Sequence, residues 1–321
     1  MKNKIKFISK KNGNNIKNER RRNILFMQNN IKLGLALAGG GMRGFAHIGA
    51  LKAFEEEKIK IDAIGGTSAG GLVASLYALG YTPYYIYILF KEYAKEMVTI
   101  GTTPIINSIG TYVTSKKLKL TGFQTGEKIE KMYNELAQKK GVAVVKDIKM
   151  PIAIPAIDIN NAEEYVFTNF VPNISNRKKY ITDIPVGKAL RASSSFPVMF
   201  CPCEFENHKF LDGGAVENIP ISSVKDLGAD KVIAINFKTG DINNESNVVD
   251  IVMKTIDIMG NKIIEKDMKK SDLTLTVNMN KLDIFNMDDL EKSYMDGYNL
   301  VKQNIDKIRN VLNTKNEDNI F

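Results

Sequence analysis

The chain has 321 residues, of which 44% are hydrophobic and 25% are charged. This composition is that of an ordinary globular protein and excludes disordered, collagen-like and coiled-coil chains, while the length fits one large α/β domain with added segments. The formal net charge is +9, but nine Lys or Arg and one Glu lie within residues 1–22, so the rest is nearly neutral and no nucleic-acid-binding face is expected.

Residues 1–29 are predicted to form a basic, disordered tail, since blocks of like charge repel and stay solvated. They contain no apolar run of about 7 to 15 residues and no small-residue cleavage site, so no secretory signal is expected. Weak attraction to anionic lipid is the alternative, at about 1 kcal/mol per basic residue near the surface. Cys201 and Cys203 flank Pro202, which is poor spacing for a disulfide or zinc site. We therefore predict a cytoplasmic protein, with peripheral membrane contact as an extension.

Predicted strands and helices alternate along the chain. A short apolar run at residues 32–38 ends in glycines and is followed by apolar residues at helical spacing over residues 45–54. A second apolar run at 61–65 also ends in glycines and precedes a helical run at 72–79. Two successive strand–turn–helix units predict a sheet covered on both faces. The expected fold class is an α/β three-layer sandwich with a mostly parallel central sheet.

The same alternation continues toward the C-terminus. Buried strands are predicted at 151–159 and 231–237, and helices at 186–194, 221–227, 248–269 and 288–311. We interpret residues 30–312 as one domain with a lid-like insertion at 81–123, and residues 313–321 as a C-terminal tail. Residues 63–90 carry no charge, but glycines and Pro83 interrupt them, which favours two buried elements over a membrane span.

The pentapeptide Gly66-Thr67-Ser68-Ala69-Gly70 fits the pattern G-x-S-x-G. It lies between a predicted strand and a predicted helix, which is the context required by the nucleophile turn of serine hydrolases. Such a turn strains the serine backbone, and small neighbours at Gly66 and Gly70 avoid clashes. Ser68 is therefore the candidate nucleophile, with a purely structural Gly-Ser turn as the alternative.

The segment Gly39-Gly40-Gly41-Met42-Arg43-Gly44 matches the dinucleotide-binding pattern G-x-G-x-x-G. That site needs an acidic residue at the end of the second strand to bind the ribose. Asp62 lies at the beginning of that strand instead, so no nucleotide cofactor is expected. The favoured interpretation is an oxyanion hole, in which backbone N–H groups bind the oxygen that becomes negative during acyl transfer.

A serine nucleophile needs a proton acceptor, and the chain has only two histidines, His47 and His208. His47 lies in the helix predicted after the glycine loop and is interpreted as a packing residue. His208 lies at a predicted hairpin turn, four residues or about 13 Å along a strand from Asp212. Asp212 closes that strand before Gly213 and Gly214, which permit a tight turn, so Asp212 is the favoured acceptor.

An unperturbed aspartate is a weak base for this task. Complete transfer of the serine proton to it would cost about 12 kcal/mol. Proton transfer must therefore accompany nucleophilic attack, with the oxyanion hole stabilising the charge that forms.

Together, these motifs resemble the patatin-like phospholipase family, in particular its bacterial members. The resemblance covers about residues 32–237, and the region after Thr239 carries no matching motif. Five segments carry it: GGGMRGFAHIGALKAFEEE (39–57), IDAIGGTSAGG (61–71), GEKIEKM (126–132), ALRASSSFPVMF (189–200) and FLDGGAVENIP (210–220).

The resemblance implies a Ser68–Asp212 dyad and hydrolysis of fatty-acyl esters of a phospholipid or lysophospholipid through an acyl-Ser68 intermediate. It implies no metal and no other cofactor. The implied oxyanion donors are Gly39, Gly40 and Gly41, and the supporting residues around the turns are Arg43, Gly44, Gly66, Gly70, Gly213 and Gly214.

Residues 81–90, from Tyr81 to Phe90, concentrate aromatic side chains just after the predicted nucleophile helix. Tyrosine prefers surfaces that are apolar on one side and wet on the other. We therefore hypothesise that this segment and the basic tail contact a membrane surface. A helix buried in the domain is the alternative.

Two other functions remain open at this point. One is a serine esterase that uses His208 together with Asp158 or Asp183, in the chain order usual for hydrolases. The other is a lipid-binding protein that retains the fold without turnover.

Overall fold

A computed structural model of the protein describes residues 31–101, 124–173, 178–197, 199–239, 251, 254–255, 269–279 and 287–314. The predicted basic tail, residues 1–29, lies outside the described residues. The same holds for the second half of the predicted insertion, residues 102–123, for most of the predicted helix 248–269, and for residues 315–321.

The described residues contain nine strands and nine α-helices. The strands are β1 (Leu33–Leu37), β2 (Ala63–Gly66), β3 (Ile152–Asp158), β4 (Glu163–Thr168), β5 (Lys179–Ile181), β6 (Cys203–Phe205), β7 (His208–Asp212), β8 (Lys231–Thr239) and β9 (Leu273–Met279). The helices are α1 (Gly44–Glu56), α2 (Ala69–Ala78), α3 (Pro83–Gly101), α4 (Glu127–Gln138), α5 (Val186–Ser193), α6 (Gly214–Glu217), α7 (Ile221–Asp226), α8 (Met287–Gln303) and α9 (Ile305–Asn313). Short 3-10 helices occupy Gly41–Arg43 and Val145–Asp147.

The predicted elements that fall within the described residues are present, with ends shifted by a few residues. The predicted helix 288–311 is divided at Asn304 into α8 and α9. The side-chain amide of Asn304 donates to the carbonyl of Leu300 at 2.8 Å. Asparagine competes in this way for backbone hydrogen bonds, which accounts for the interruption.

The strands form one nine-stranded sheet whose main path runs β5-β4-β3-β2-β1-β8-β9. Strands β1, β2, β3, β8 and β9 are parallel to one another. Strand β4 is antiparallel to β3, and β7 pairs antiparallel with both β3 and β6. The prediction of an α/β fold with a mostly parallel central sheet is therefore confirmed.

Helices cover both faces of the central strand β1. All five of its residues are buried, and successive side chains of a strand point to opposite faces. On one face a Cβ at Gly34 or at Gly65 would overlap the side chain of Val224 in α7. The sheet is thus the middle layer of three, and its hydrophobic runs reflect burial on both sides.

Helices α1 and α8 pack so closely that their backbones touch. A Cβ at Gly49 of α1 would overlap the backbone of Tyr294, and a Cβ at Gly297 of α8 would overlap the backbone of Ala46. The two glycines therefore permit the close approach that joins α8 to α1.

Strands β2 and β7 meet end to end along one edge of β3. The other edge of β3 pairs with β4 from Ala153 to Asp158. On the shared edge, β2 pairs with β3 at Ile152 and Ala153, and β7 pairs from Ala156 to Asp158. Asp212, the last residue of β7, lies opposite Ala156, about 10 Å along the strand from the last β2 pair. The C-terminal ends of β2 and β7 therefore face the same gap beside β3.

The first half of the predicted insertion belongs to the packed domain. Helix α3 buries Ile86, Phe90 and Ala94, and the Phe90 ring contacts the Phe45 ring edge-on at 5.7 Å. The alternative of a buried helix is thus correct for this part of α3. This part of α3 is buried because its apolar face packs against α1.

Two tyrosines of α3 are nevertheless exposed, Tyr84 by 69% and Tyr85 by 41%. They lie just after the C-terminal end of α2, whose ten residues span about 15 Å from Ser68. Phe90, one to two turns further on, lies against Gly44 instead. The exposed tyrosines therefore belong to the end of α2 remote from Ser68 and do not border the predicted site.

Candidate active site

Ser68 occupies the sharp turn between β2 and α2, as the sequence predicts. Its backbone angles are φ 53° and ψ −123°, a region that costs a residue with a side chain on the order of 1–3 kcal/mol. A Cβ at Gly66 would overlap the backbone of Gly70, and a Cβ at Gly70 would overlap the carbonyl of Leu37. Both glycines are thus required by close backbone contacts around the strained serine.

Three hydrogen bonds from distant parts of the chain hold this turn. The Thr67 amide donates to the Leu37 carbonyl at 3.2 Å. The Thr67 hydroxyl donates to the Glu217 carbonyl at 2.6 Å. The Ser68 amide donates to the Ser193 hydroxyl oxygen at 3.2 Å. The backbone is therefore fixed on both sides, while the Ser68 side chain remains only half-buried.

Asp212 lies across the gap from Ser68, at the end of β7, and is 4% exposed. Its amide donates to the Ser195 carbonyl at 3.1 Å, and its Oδ1 accepts the Gly214 amide at 2.8 Å. Within the described part of the chain its buried Oδ2 has no hydrogen-bond partner. One oxygen is thus used to hold the carboxyl in place and the other is left available.

Burial raises the pKa of the Asp212 carboxyl to about 6. The Ser68 hydroxyl and the Gly214 amide act in the opposite direction and lower this pKa. Ser68 is therefore close enough to stabilise the charged carboxylate, although Oδ2 accepts no formal hydrogen bond. Catalytic hydrogen bonds are often long before substrate binds and tighten in the complex.

Glycines near Ser68 and Asp212 lie against other parts of the fold. A Cβ at Gly213 would overlap the carbonyl of Pro155 in β3. A Cβ at Gly44 would lie 3.2 Å from the Phe90 ring and 3.3 Å from Cβ of Ala69. Gly213 is thus required by close contact with the β3 backbone, whereas Gly44 lies in a tight contact with neighbouring side chains.

The glycine loop lies beside the nucleophile turn. A Cβ at Gly39 would be 3.4 Å from Cβ of Ser68, so the loop and the serine are direct neighbours. The Gly39 amide, however, donates to the Asn218 carbonyl at 3.0 Å. Of the three glycines implied as oxyanion donors, Gly39 is therefore not available in this conformation.

The amides of Gly40 and Gly41 make no hydrogen bond within the described residues. The Gly40 carbonyl accepts two bonds from Arg43, from the amide at 3.2 Å and from Nε at 3.1 Å. Because a trans peptide directs its carbonyl and its N–H to opposite sides, Arg43 holds the Gly41 N–H away from itself. The packing of Gly40 on Phe237 and the φ of 58° at Gly41 explain why both positions are glycine.

His47 is a packing residue, in agreement with the sequence interpretation. It is fully buried, its Nε2 lies 2.8 Å from the Ala38 carbonyl, and its ring packs against the Phe237 ring in a tilted arrangement with centroids 4.6 Å apart. Burial lowers its pKa to about 4, against the raising effect of the Ala38 hydrogen bond. His47 is thus neutral near pH 7 and serves as an anchor for the strand end before the glycine loop.

His208 pairs with one of the acids named in the histidine alternative. Its Nδ1 lies 2.8 Å from Oδ2 of Asp158, which is fully buried. The strand register nevertheless places His208 four residues from Asp212, at the hairpin end. The other acid, Asp183, pairs with Lys146 at 2.6 Å. A histidine–aspartate pair therefore exists, but β7 carries it away from the gap where Ser68 lies.

The dinucleotide alternative also fails on geometry. Asp62 precedes β2, where its carboxylate accepts the Leu33 amide at 3.0 Å and pairs with Lys60 at 2.5 Å. It therefore lies at the opposite end of the strand from the glycine loop and cannot reach a ribose bound there.

Sequence reasoning missed three residues that hold the site: Ser193, Glu217 and Asn218. The segments 189–200 and 210–220 contained them, but their individual contacts join residues 125 to 150 or more positions apart. Patterns among neighbouring residues do not predict contacts between residues so far apart in the chain.

The strained strand-to-helix serine turn at the carboxyl edge of a parallel sheet is typical of α/β hydrolases. Comparison with known proteins narrows this class. Residues 35–225, more than half of the chain, match the family described as patatin-like phospholipase. The chain therefore belongs to the patatin-like phospholipase family, a family of carboxylic ester hydrolases.

Several curated relatives carry the name Lysophospholipase NTE1. The chain is 30% identical to that of Scheffersomyces stipitis over 222 residues, which is 69% of this chain and 13% of the relative. It is 28% identical to that of Saccharomyces cerevisiae over 209 residues, 65% of this chain and 11% of the relative. The chain thus spans only a small part of the length of these relatives. Both are fungal, and a closer link to bacterial members stays a prediction.

Solved structures of similar fold include the complex of ExoU with SpcU from Pseudomonas aeruginosa. It has a TM-score of 0.47 and 17% identity, and the match covers 88% of this chain and 52% of that one. Human GIVD cytosolic phospholipase A2 with methyl gamma-linolenyl fluorophosphonate gives a TM-score of 0.41 and 8% identity over 88% of this chain and 58% of that one.

A helix that spans a bilayer needs about 20 predominantly apolar residues. No helix in the described ranges of the chain is both long enough and apolar enough to do so.

Proposed function

We propose that the protein hydrolyses fatty-acyl esters of a phospholipid or lysophospholipid through an acyl-Ser68 intermediate, with Asp212 as the proton acceptor. The observation that carries this proposal is the convergence of the ends of β2 and β7, which brings the Ser68 hydroxyl to a buried carboxyl. Membership of a family of ester hydrolases supports it. The relatives named lysophospholipase support the substrate class.

In the first half-reaction the Ser68 oxygen attacks the ester carbonyl while its proton moves to Asp212 Oδ2. The raised pKa of about 6 makes Asp212 a stronger base than an ordinary aspartate, yet leaves most of it ionised at pH 7. Oδ1 keeps its bond to the Gly214 amide, so the carboxyl does not rotate away.

The negative oxygen of the tetrahedral intermediate is bound by the Gly40 and Gly41 amides. An oxyanion-hole donor typically contributes about 2.7–4 kcal/mol, so two donors offset part of the roughly 12 kcal/mol that complete proton transfer to an ordinary aspartate would cost. When the intermediate collapses, Asp212 gives the proton to the departing alcohol. It then takes a proton from the water that attacks the acyl-serine. As the bond to Ser68 breaks and the fatty acid leaves, Asp212 returns this proton to the Ser68 oxygen, which restores the hydroxyl and the carboxylate.

Labelling with a fluorophosphonate tests the nucleophile. The wild type should be labelled covalently, and both Ser68→Ala and Asp212→Asn should lose labelling by at least about 100-fold, as expected for removal of a nucleophile or its base. His208→Ala is the matched control and should keep most of the wild-type rate. Equal labelling of wild type and Ser68→Ala would refute the proposal, and loss in His208→Ala would favour the histidine alternative.

The substrate class needs a separate measurement. Wild-type protein and Ser68→Ala are incubated with a mixed lipid extract, and the products are identified by mass spectrometry. Free fatty acid together with a glycerophosphodiester or a lysophospholipid is expected for the wild type alone. An unlabelled, inactive wild type that still binds vesicles would point to a lipid-binding protein instead.

Peripheral membrane contact is part of the proposal, through the exposed Tyr84 and Tyr85 and the basic tail at residues 1–29. Tyrosines with an apolar ring and a polar tip suit a membrane interface. Replacing Tyr84 and Tyr85 with Ser should lower hydrolysis of vesicle lipid and spare a soluble ester. Equal activity of the variant and the wild type on vesicles would exclude these two residues from the contact.

A further inference from the structure

The end of α5 and the turn after it contact the backbone of both proposed reacting residues. This segment contains three consecutive serines, Ser193, Ser194 and Ser195, all of them buried. Oγ of Ser193 accepts the Ser68 amide at 3.2 Å, and the Ser195 carbonyl accepts the Asp212 amide at 3.1 Å. The relative position of nucleophile and base is therefore set by one short span of chain.

The Ser193 contact differs from the others because it involves a side chain and the strained residue itself. Strained backbone persists only where the surroundings fix it by several contacts. The bonds of Thr67 hold the residue before Ser68, and α2 holds the residues after it. Oγ of Ser193 is the acceptor that fixes the Ser68 peptide N–H between them.

The direction of this N–H determines where the Ser68 side chain stands. Rotation of the Thr67–Ser68 peptide would change φ of Ser68 and swing its Oγ relative to Asp212 Oδ2. Such rotation would also break a hydrogen bond of a buried donor, at a cost of about 1–3 kcal/mol if no other acceptor is found. The same bond turns the Ser68 amide toward α5, so this amide is not an oxyanion donor.

We propose that Ser193 is a positioning residue, which holds the Ser68 backbone so that its hydroxyl meets the Asp212 carboxylate. This inference rests on the proposed function. Ser193 itself does not touch substrate in this proposal. Its effect should therefore appear in the rate of the covalent step and not in substrate affinity.

The test compares Ser193→Ala with Ser75→Ala. Ser75 is an equally buried serine in α2, and its hydroxyl has no hydrogen-bond partner among the described residues. Ser193→Ala should lower kcat and the rate of fluorophosphonate labelling by about 10- to 100-fold, as expected for a displacement of about 1 Å, with KM unchanged. Ser75→Ala should keep the wild-type rate.

Thermal unfolding of each variant is measured alongside the rates, and rates are compared at a temperature where all variants are folded. If Ser193→Ala does not fold, Ser193→Cys replaces it, since the thiol fills the site and is a much weaker acceptor. It should be slower than the wild type at equal folded fraction. A Ser193 variant that is folded and labelled at the wild-type rate overturns the inference.

The outcomes separate this inference from the proposed function. If the wild type is not labelled, or Ser68→Ala is labelled equally, the proposed function fails. If the wild type alone is labelled and the Ser193 variants match it, only the positioning role fails. A rise in KM at unchanged kcat would also overturn the inference, because it would place Ser193 in substrate binding.

Discussion

Burial of Asp212 determines the pH at which the proposed chemistry can start. Its carboxyl has a pKa of about 6, raised by desolvation, whereas an unperturbed aspartate has a pKa of about 3.9. Only the ionised form accepts the Ser68 proton. A raised pKa therefore means that activity is lost as the pH falls through about 6, well above the pH at which an exposed aspartate would protonate.

We predict that kcat/KM on a soluble ester rises with pH through about 6 and then levels off. This parameter reports the ionisation of the free enzyme. The measurement is a rate profile between pH 4.5 and 8, with the profile of His208→Ala as the control. A midpoint near 4 would contradict the burial effect, and a rise that disappears in His208→Ala would identify the histidine as the base.

Individual site residues differ in how far the sequence determines them. Ser68, Gly66 and Gly70 lie in one five-residue turn, so local sterics identify them. The availability of a glycine amide is not local, since Gly39 donates to Asn218, which is far away in the chain. For that reason sequence reasoning assigned three oxyanion donors where the structure leaves two amides available.

Elements were predicted most accurately where their pattern is continuous. The buried strands β1, β3 and β8 read as apolar runs because both faces are covered. Strand β9 was missed although Leu273, Leu275 and Val277 alternate with polar residues, which is the pattern of a half-buried edge strand. The short β5 was also missed, because three residues carry too little pattern and pairing with β4 decides their conformation.

The contact between α1 and α8 depends on two glycines that no motif marked. In an exposed helix, replacing glycine by alanine usually stabilises the helix by about 1 kcal/mol. At Gly297 the added Cβ would instead overlap the Ala46 carbonyl. Packing between the two helices, and not helix propensity, therefore determines whether Gly297→Ala raises or lowers the free energy of unfolding.

We predict that Gly297→Ala lowers the free energy of unfolding by about 1–3 kcal/mol, the usual range for an overpacked contact. Urea denaturation of wild type and variant measures this difference. Asn299→Ala, an exposed change on the same helix, should stay within about 0.5 kcal/mol of the wild type. A stabilised Gly297→Ala would show that α1 and α8 are not in backbone contact.

A buried charge cluster joins the β4–β5 edge of the sheet to α6 and α7, the two helices that follow Asp212. The Lys178 ammonium contacts Glu217 at 2.9 Å and Glu164 at 3.3 Å, and it also donates to Ser222 and Ser223 of α7. The Glu217 carbonyl accepts the Thr67 hydroxyl, so the cluster is connected to the nucleophile turn. Two carboxylates share one ammonium, which leaves one of them easily protonated.

Burial, followed by the charge of Glu217, raises the pKa of Glu164 to about 7. The folded protein therefore retains a proton that the unfolded chain releases near its ordinary pKa of about 4.5. Because the folded state binds more protons between these values, the contribution of Glu164 to stability is present at acid pH and is lost as the pH rises toward 7. Glutamine has nearly the same shape and cannot ionise.

We predict that Glu164→Gln becomes more stable relative to the wild type as the pH rises from 5 to 8. The measurement is the difference in melting temperature at each pH, in which the titration of Asp212 cancels because both proteins contain it. Glu163→Gln is the control, since this neighbour lies in an exposed ion pair with Lys179 at 3.9 Å. A difference that is the same at every pH, or the same for both variants, would show that Glu164 is ionised throughout and that Lys178 balances both carboxylates.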